Sequence, residues 1–186
     1  MKQQRITAYT AKAAMIAALY TVLTMIATAL GLSSGVIQFR ISEALCILPI
    51  FMPEAIPGLF IGCLISNILS GCVIWDVIFG AVATLIGALG ARALRKLPEK
   101  LKWIATLPTV LANGIIVPFV LLYAYGAEGS YAFFALTVSI GELVCASVLG
   151  SISYYYITKK NAKLYNLLKS DTPTIPDRKG GSFEFK

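Results

Sequence analysis

The sequence predicts an all-α, polytopic membrane protein built as a bundle of six transmembrane helices. Three observations carry that reading. Of the 186 residues 58% are hydrophobic and only 13% charged, whereas a soluble domain carries about 25% charged residues. Mean hydropathy is +0.78, so most helices have no face to offer to water. The basic residues gather at the ends of the apolar runs, where they orient a membrane protein and attract anionic lipid.

The first helix is expected over about residues 8–30, its apolar run, Ala13 to Leu30, following the basic start MKQQRITAYTAK. With the small triplet Ala27-Thr28-Ala29 this stretch imitates a cleaved signal peptide. A first transmembrane helix explains more. Thr10, Ala14, Ala17, Thr21, Thr24 and Thr28 recur at spacings of four and three and lay small side chains along one face. With Ala18 beside Ala14 they form a surface that another helix can approach closely. Ala14, Ala17, Ala18 and Thr21 are therefore candidate interface residues. The partner is either a helix of this same chain or a separate subunit.

GLSSG at 31–35 is a loop, and VIQFR leads irregularly into a short second helix, about 41–52. Twelve helical residues rise about 18 Å, too little for a hydrocarbon core of about 30 Å. Pro49, Pro53 and Pro57 interrupt the backbone in quick succession, and a third helix is expected over 53–70. Broken helices at membrane depth are tolerated where they line a cavity or are buried in protein. A bent helix pair without a ligand is the plainer alternative.

A tight turn, GCVIWD, introduces helix four over 73–95, rich in Gly and Ala for close packing. The basic loop RALRKLPEKLK leads to helix five over 103–125, which contains Asn113. GAEGS turns into helix six over 131–158, with Glu142 near its middle. Tyr154, Tyr155 and Tyr156 followed by Lys159 and Lys160 form an interfacial anchor. Residues 1–160 make up the membrane domain. Residues 161–186 turn polar and are expected to be a disordered tail, its last residues, 180–186, being natural or a remnant of cloning.

Six spans place both termini on one side. If that side is the cytoplasm, every Lys and Arg but Arg40 lies inside, as the positive-inside rule requires. The expected location is a bacterial cell membrane with cytoplasmic termini.

Composition also excludes chemistries. Histidine is absent, which removes His-based zinc sites and Ser-His-Asp triads. No GxxxxGK[ST] or GxGxxG occurs, so the chain has no P-loop for ATP. The four cysteines lack CxxC spacing and read as buried apolar groups.

What remains is a polar set at the outer half: Arg40, Glu43, Asn67, Trp75 and Asp76 at helix ends, with Asn113 and Glu142 deeper. Intramembrane ionisable groups mark functional sites by default, and a carboxylate at mid-membrane costs about 2.5–3.5 kcal/mol. Each residue has a plainer role. Arg40 and Glu43 would form a local salt bridge, and Asp76 would cap a helix. Asn67 and Asn113 would join helices by hydrogen bonds, and Trp75 would anchor at the interface. Glu142 points most sharply to a ligand, ion or proton. Polar residues at one end only suit a capture site better than a pore.

The strings QFRISEAL at 38–45, PEAIPGLFIGCLISNILSG at 53–71, WDVIFG at 75–80 and GEL at 141–143 resemble the QueT family. The likeness covers about residues 8–158. That family consists of substrate-binding S-components of energy-coupling factor transporters for queuosine precursors. The resemblance implies a six-helix capture subunit that assembles with a transmembrane T-component and two cytoplasmic ATPases. ATP would be used by those partners, and this chain would bind no cofactor. It also implies that Ala14 and Ala18 belong to the face on helix one that meets the T-component. A 7-deazaguanine base would place its N–H edge on a carboxylate, Glu142 or Glu43, with Asn113 and Asn67 beside it. Its carbonyl would take a donor from Asn or Arg40. An aminomethyl substituent would favour a second carboxylate.

Two other classes compete. A stand-alone proton-coupled permease would use Glu142, although six helices without internal repeats are few for such folds. A membrane enzyme would use Glu142 or Glu43 as a general base, but no His or metal-ligand cluster supports it. The sequence does not distinguish queuine from its pre-queuosine relatives, nor does it say whether residues 31–40 act as a lid.

Overall fold

A computed structural model describes residues 2–32 and 38–169, and all of its regular structure is helical. The long helices are α1 (Lys2–Ala29), α2 (Ala55–Leu69), α3 (Ile74–Ala93), α4 (Leu107–Tyr123) and α5 (Tyr131–Glu142). A 3₁₀ helix, Ile41–Ile50, lies between α1 and α2, and a second, Glu99–Thr106, leads into α4. Beyond α5 the helix continues without a break. It passes through a π-helical stretch (Leu143–Leu149), α6 (Gly150–Tyr155) and a second π-helical stretch (Tyr156–Lys160).

Six full spans are not what the described residues show. Four helices are long and apolar enough to cross a membrane: Gln3–Ala29, Ile74–Lys96, Glu99–Tyr123 and Tyr131–Lys160. Ile41–Ile50 and Ala55–Leu69 are shorter apolar helices. At about 2.0 Å per residue the ten-residue 3₁₀ helix covers about 20 Å, and α2 at about 1.5 Å per residue covers about 22 Å. The short helix following Arg40 is thus wound more tightly than the α-helix expected there, with Pro49 inside it.

This 3₁₀ helix is the centre of the bundle. It packs against α1, α3, α6 and the first π-helical stretch, and eight of its ten residues are buried. The helices around it close in sequence order, α1 on α2, α2 on α3, α3 on α4 and α4 on α5. Glycine permits the close approaches. A Cβ at Gly62 would lie 2.8 Å from Tyr20 Cβ and 2.9 Å from the Ala17 carbonyl oxygen, so α1 and α2 meet almost backbone to backbone. Large apolar side chains such as Met15, Leu19, Val22 and Ile26 face outward, as they do when lipid is the solvent.

The small-residue stripe of α1 divides between two faces. Ala17 is buried and the Thr21 hydroxyl donates to the Gly62 carbonyl at 3.3 Å, so these two serve packing within the chain. Ala14 and Ala18 are exposed. At about 100° per residue Ala17 lies about 60° around the helix from Ala14 and about 100° from Ala18, so the stripe is wide enough to serve both.

The tail differs from the expected disorder over its first residues. Ala162–Lys169 form α7, and Leu164, Tyr165 and Leu168 pack against the core, with Tyr165 edge-on to Phe51 at 6.1 Å. Apolar residues at this spacing share one helix face, and burying it stabilises the turn pair. Residues 170–186 of that tail, and residues 33–37 of the loop before the 3₁₀ helix, lie outside the described residues.

Candidate functional site

The 3₁₀ helix carries Glu43 into the centre of the bundle, where it is 1% exposed. The Tyr20 hydroxyl of α1 donates to its Oε1, and the Cys46 thiol donates to Oε2 at 2.9 Å. One turn further along α1, the Thr24 hydroxyl bonds Ser42 Oγ at 2.8 Å. The start of the 3₁₀ helix is therefore pinned to α1 by two side-chain bonds, and the carboxylate of Glu43 has a donor on each oxygen.

Arg40 forms its ion pair with a different element, α3. Its Nη2 lies 3.8 Å from Asp76 Oδ2, at the first turn of α3, with both side chains largely enclosed. The same carboxylate oxygen accepts from the Tyr125 hydroxyl at 3.0 Å. Tyr125, just beyond α4, in turn accepts from the Val73 amide at 3.3 Å. Asn67 of α2 donates to the Asp76 backbone carbonyl at 3.2 Å. The ion pair of Arg40 is thus with Asp76 of α3 in place of the local Arg40–Glu43 bridge considered from sequence, and Asp76 is not the cap expected of it: Val73 is the N-cap residue of α3, and no side chain caps that end.

Gly80, one turn along α3 from Asp76, lies against this corner. A Cβ there would stand 2.8 Å from Asn67 Nδ2, 3.5 Å from Asp76 Oδ1 and 4.0 Å from Arg40 Nη1. A Cβ would thus displace the Asn67 amide, while Asp76 and Arg40 would be met at ordinary contact distance.

Glu142 completes the cluster. It sits at the junction where α5 gives way to the π-helical stretch, and that stretch packs on the 3₁₀ helix bearing Glu43. Single π-turns within helices recur at functional sites. Glu142 is buried, and both Glu43 and Arg40 act on it electrostatically. Glu142 Oε2 and Asp76 Oδ1 are buried with no hydrogen-bond partner among the described residues.

Five of the seven residues singled out in the sequence therefore come together: Arg40, Glu43, Asn67, Asp76 and Glu142. Asn113 is buried in α4 and donates to the Thr109 carbonyl of its own helix at 3.1 Å. Trp75 does not join the cluster. It is 55% exposed, stacks on Phe79 at 6.1 Å and lines an apolar groove of about 440 Å³ with Phe119 and Tyr123. Its neighbour Asp76 points inward, because adjacent positions on a helix face different ways.

Tyr20, Cys46 and Tyr125 were not singled out. The one available signal was a tyrosine inside an apolar helix, since a buried phenol seeks a hydrogen-bond partner. At the opposite end of the 3₁₀ helix, Arg92 donates to the Pro49 and Ile50 carbonyls at 3.0 and 3.4 Å. Buried Glu54 lies nearby with Oε2 unpartnered. Among the described residues no three His, Cys, Asp or Glu side chains are arranged to hold a metal ion.

Chemically, the cluster sets three carboxylates around one guanidinium, with two carboxylate oxygens lacking a donor. Such a site suits a small ligand rich in N–H groups, because a buried acceptor left unpaired is costly.

Residues 10–159 match the model of a family described as QueT transporter. The chain is also similar to the queuosine precursor transporter QueT of Lactococcus lactis subsp. cremoris (strain MG1363), 41% identical over 91 residues. That alignment covers 48% of this chain and 53% of the relative, so it spans about half the length of the curated protein. No solved structure matches.

Proposed function

The chain belongs to the QueT transporter family, and from that premise we propose that it captures a queuosine precursor for import. The proposed ligand is a 7-deazaguanine base such as queuine or a pre-queuosine base. The proposed role is that of the S-component of an energy-coupling factor importer, working with a T-component and two ATPase subunits. Both the family and the curated relative are transporters, and the chain is not an enzyme.

The observation that carries this reading is the buried Arg40–Asp76–Asn67 corner facing Glu43 and Glu142, with Glu142 Oε2 and Asp76 Oδ1 unpartnered. A guanine-like edge supplies adjacent N–H donors for a carboxylate, and charge-assisted bonds of this kind are the strong ones. Glu142 accepts that edge in the proposed pose. Arg40 donates to the ring carbonyl from its guanidinium, and Asn67 holds Asp76 in register. Ala14 and Ala18, exposed on α1, are the proposed contact with the T-component. Both termini lie in the cytoplasm on this reading, which places Arg40 near the outer surface.

A second reading, a proton-coupled permease, draws on the same unpartnered Glu142 Oε2. Two measurements together separate the readings. Calorimetry of 7-deazaguanine bases on the purified chain in detergent is expected to give saturable binding near 1:1 with no partner present. Uptake by the chain alone in liposomes, abolished by an uncoupler, would establish the permease instead. Absence of binding across the series by folded protein would remove the substrate assignment.

A further inference from the structure

A second pocket, of about 340 Å³, opens at the other end of the bundle. Its inner wall is Ile47, Ser151 and Tyr154, and its rim carries Lys100, Lys102, Lys159, Trp103 and Tyr155. The rim belongs to two elements, the 3₁₀ helix Glu99–Thr106 and the end of the long helix Tyr131–Lys160. It is the end at which Arg92, Arg95, Lys96 and Lys160 also gather.

The charge there is unbalanced. Glu99 meets Lys159 at 3.2 Å, and Lys102 donates to the Arg95 carbonyl. Glu99 is the one acidic residue among the three lysines lining the pocket, so the rim carries a net positive charge. The aromatic residues beside it are the type that sits at a headgroup boundary: Trp103 is 49% exposed and Tyr155 58%. From Tyr155 the outward face continues through Ile152 and Val148, both more than half exposed and spaced by three and four residues. A basic cup thus opens onto an apolar stripe pointing into the membrane.

We propose that this cup binds the headgroup of an anionic phospholipid, with the phosphate among Lys100, Lys102 and Lys159 and an acyl chain along Tyr155, Ile152 and Val148. A lipid supplies both halves of that chemistry at once. A soluble anion would leave the apolar stripe unused, and a zwitterionic lipid would bring a cation of its own to a rim that is already net positive. Basic pockets between membrane helices hold anionic headgroups in this way, each nearby Lys or Arg contributing about fivefold in affinity.

The test is native mass spectrometry of the full chain released from detergent micelles doped with phosphatidylglycerol or phosphatidylcholine, read beside its thermal midpoint. One retained phosphatidylglycerol and a raised midpoint are expected, with phosphatidylcholine retained at least about tenfold less. The triple variant Lys100→Gln/Lys102→Gln/Lys159→Gln should lose that retention, while Arg5→Gln, a basic residue of α1 outside the pocket, should keep it. Equal retention of both lipids, or equal loss in the Arg5→Gln variant, would overturn the proposal. So would a triple variant that still binds phosphatidylglycerol, or a wild-type protein that retains none. The 7-deazaguanine binding at the opposite end is read separately, so failure of one assignment leaves the other standing.

Discussion

Tyr20 and Glu43 are 23 residues apart and meet at the bundle centre, the phenol of α1 donating to the carboxylate of the 3₁₀ helix. Neither group is tolerable alone there. A buried carboxylate needs donors, and a fully buried phenol needs an acceptor. With Thr24 and Ser42 bonded one turn away, this contact fixes how the 3₁₀ helix seats on α1, and hence where Arg40 and Glu43 sit.

Replacing Tyr20 with Phe keeps the ring and removes the donor. Glu43 Oε1 would then be buried without a partner, at a cost of about 1–3 kcal/mol. Thermal unfolding in detergent should show a clearly lower midpoint for Tyr20→Phe. Glu43→Gln should cost less, since a neutral amide still accepts the phenol's hydrogen bond.

Glu142→Gln removes charge with little change of shape. In the proposed pose a charge-assisted bond becomes a neutral one, and affinity for a 7-deazaguanine base should fall about tenfold to a hundredfold. Calorimetry reads this directly. Unchanged affinity in a folded Glu142→Gln protein would move the ligand away from this carboxylate.

Much of the cluster was legible because charge is conspicuous in apolar sequence. Arg40, Glu43, Asp76 and Glu142 each stand out against hydrophobic neighbours. Their pairing was not legible. Arg40 has an acidic residue three positions away, yet its carboxylate is Asp76, 36 positions on, because the chain fold and not spacing decides the partner. The 3₁₀ winding of Ile41–Ile50 was hidden for a related reason. Over ten nearly all-apolar residues, periods of 3.0 and 3.6 give no contrasting pattern. Trp75 was grouped with Asp76 by adjacency in sequence, the one relation that a helix turns into divergence.

Tyr125 ties the α2–α3 turn to the end of α4 through the Val73 amide and Asp76. Burial, with Asp76 adding to it, raises its phenol above the ordinary value near 10. A raised tyrosine favours the neutral form in the folded state. Its contribution is full below about pH 10 and is lost as pH climbs through the folded value. Spectrophotometric titration should therefore be the same for wild type and Tyr125→Phe below pH 10, with the difference appearing only above it. Faster hydrogen exchange at Val73 in Tyr125→Phe, measured at neutral pH, would report the released turn.

Gly80 offers the most selective probe of the corner formed by Arg40, Asp76 and Asn67. A methyl group there falls 2.8 Å from Asn67 Nδ2, closer than side-chain atoms ordinarily stand. Asn67 must give way, and its bond to the Asp76 carbonyl at 3.2 Å goes with it. The helix itself gains from the change, since Ala has a better helix propensity than Gly by about 1 kcal/mol. Stability and binding are thereby expected to part. Gly80→Ala should melt within a few degrees of wild type yet bind a 7-deazaguanine base about tenfold or more weakly. Gly71→Ala makes the contrast, because that turn glycine has positive φ and no atom within 4 Å of a added Cβ. Strain at Gly71 should lower the midpoint while leaving the affinity of the folded protein unchanged. The opposite pattern, with Gly80→Ala binding normally, would show that the corner does not touch the ligand.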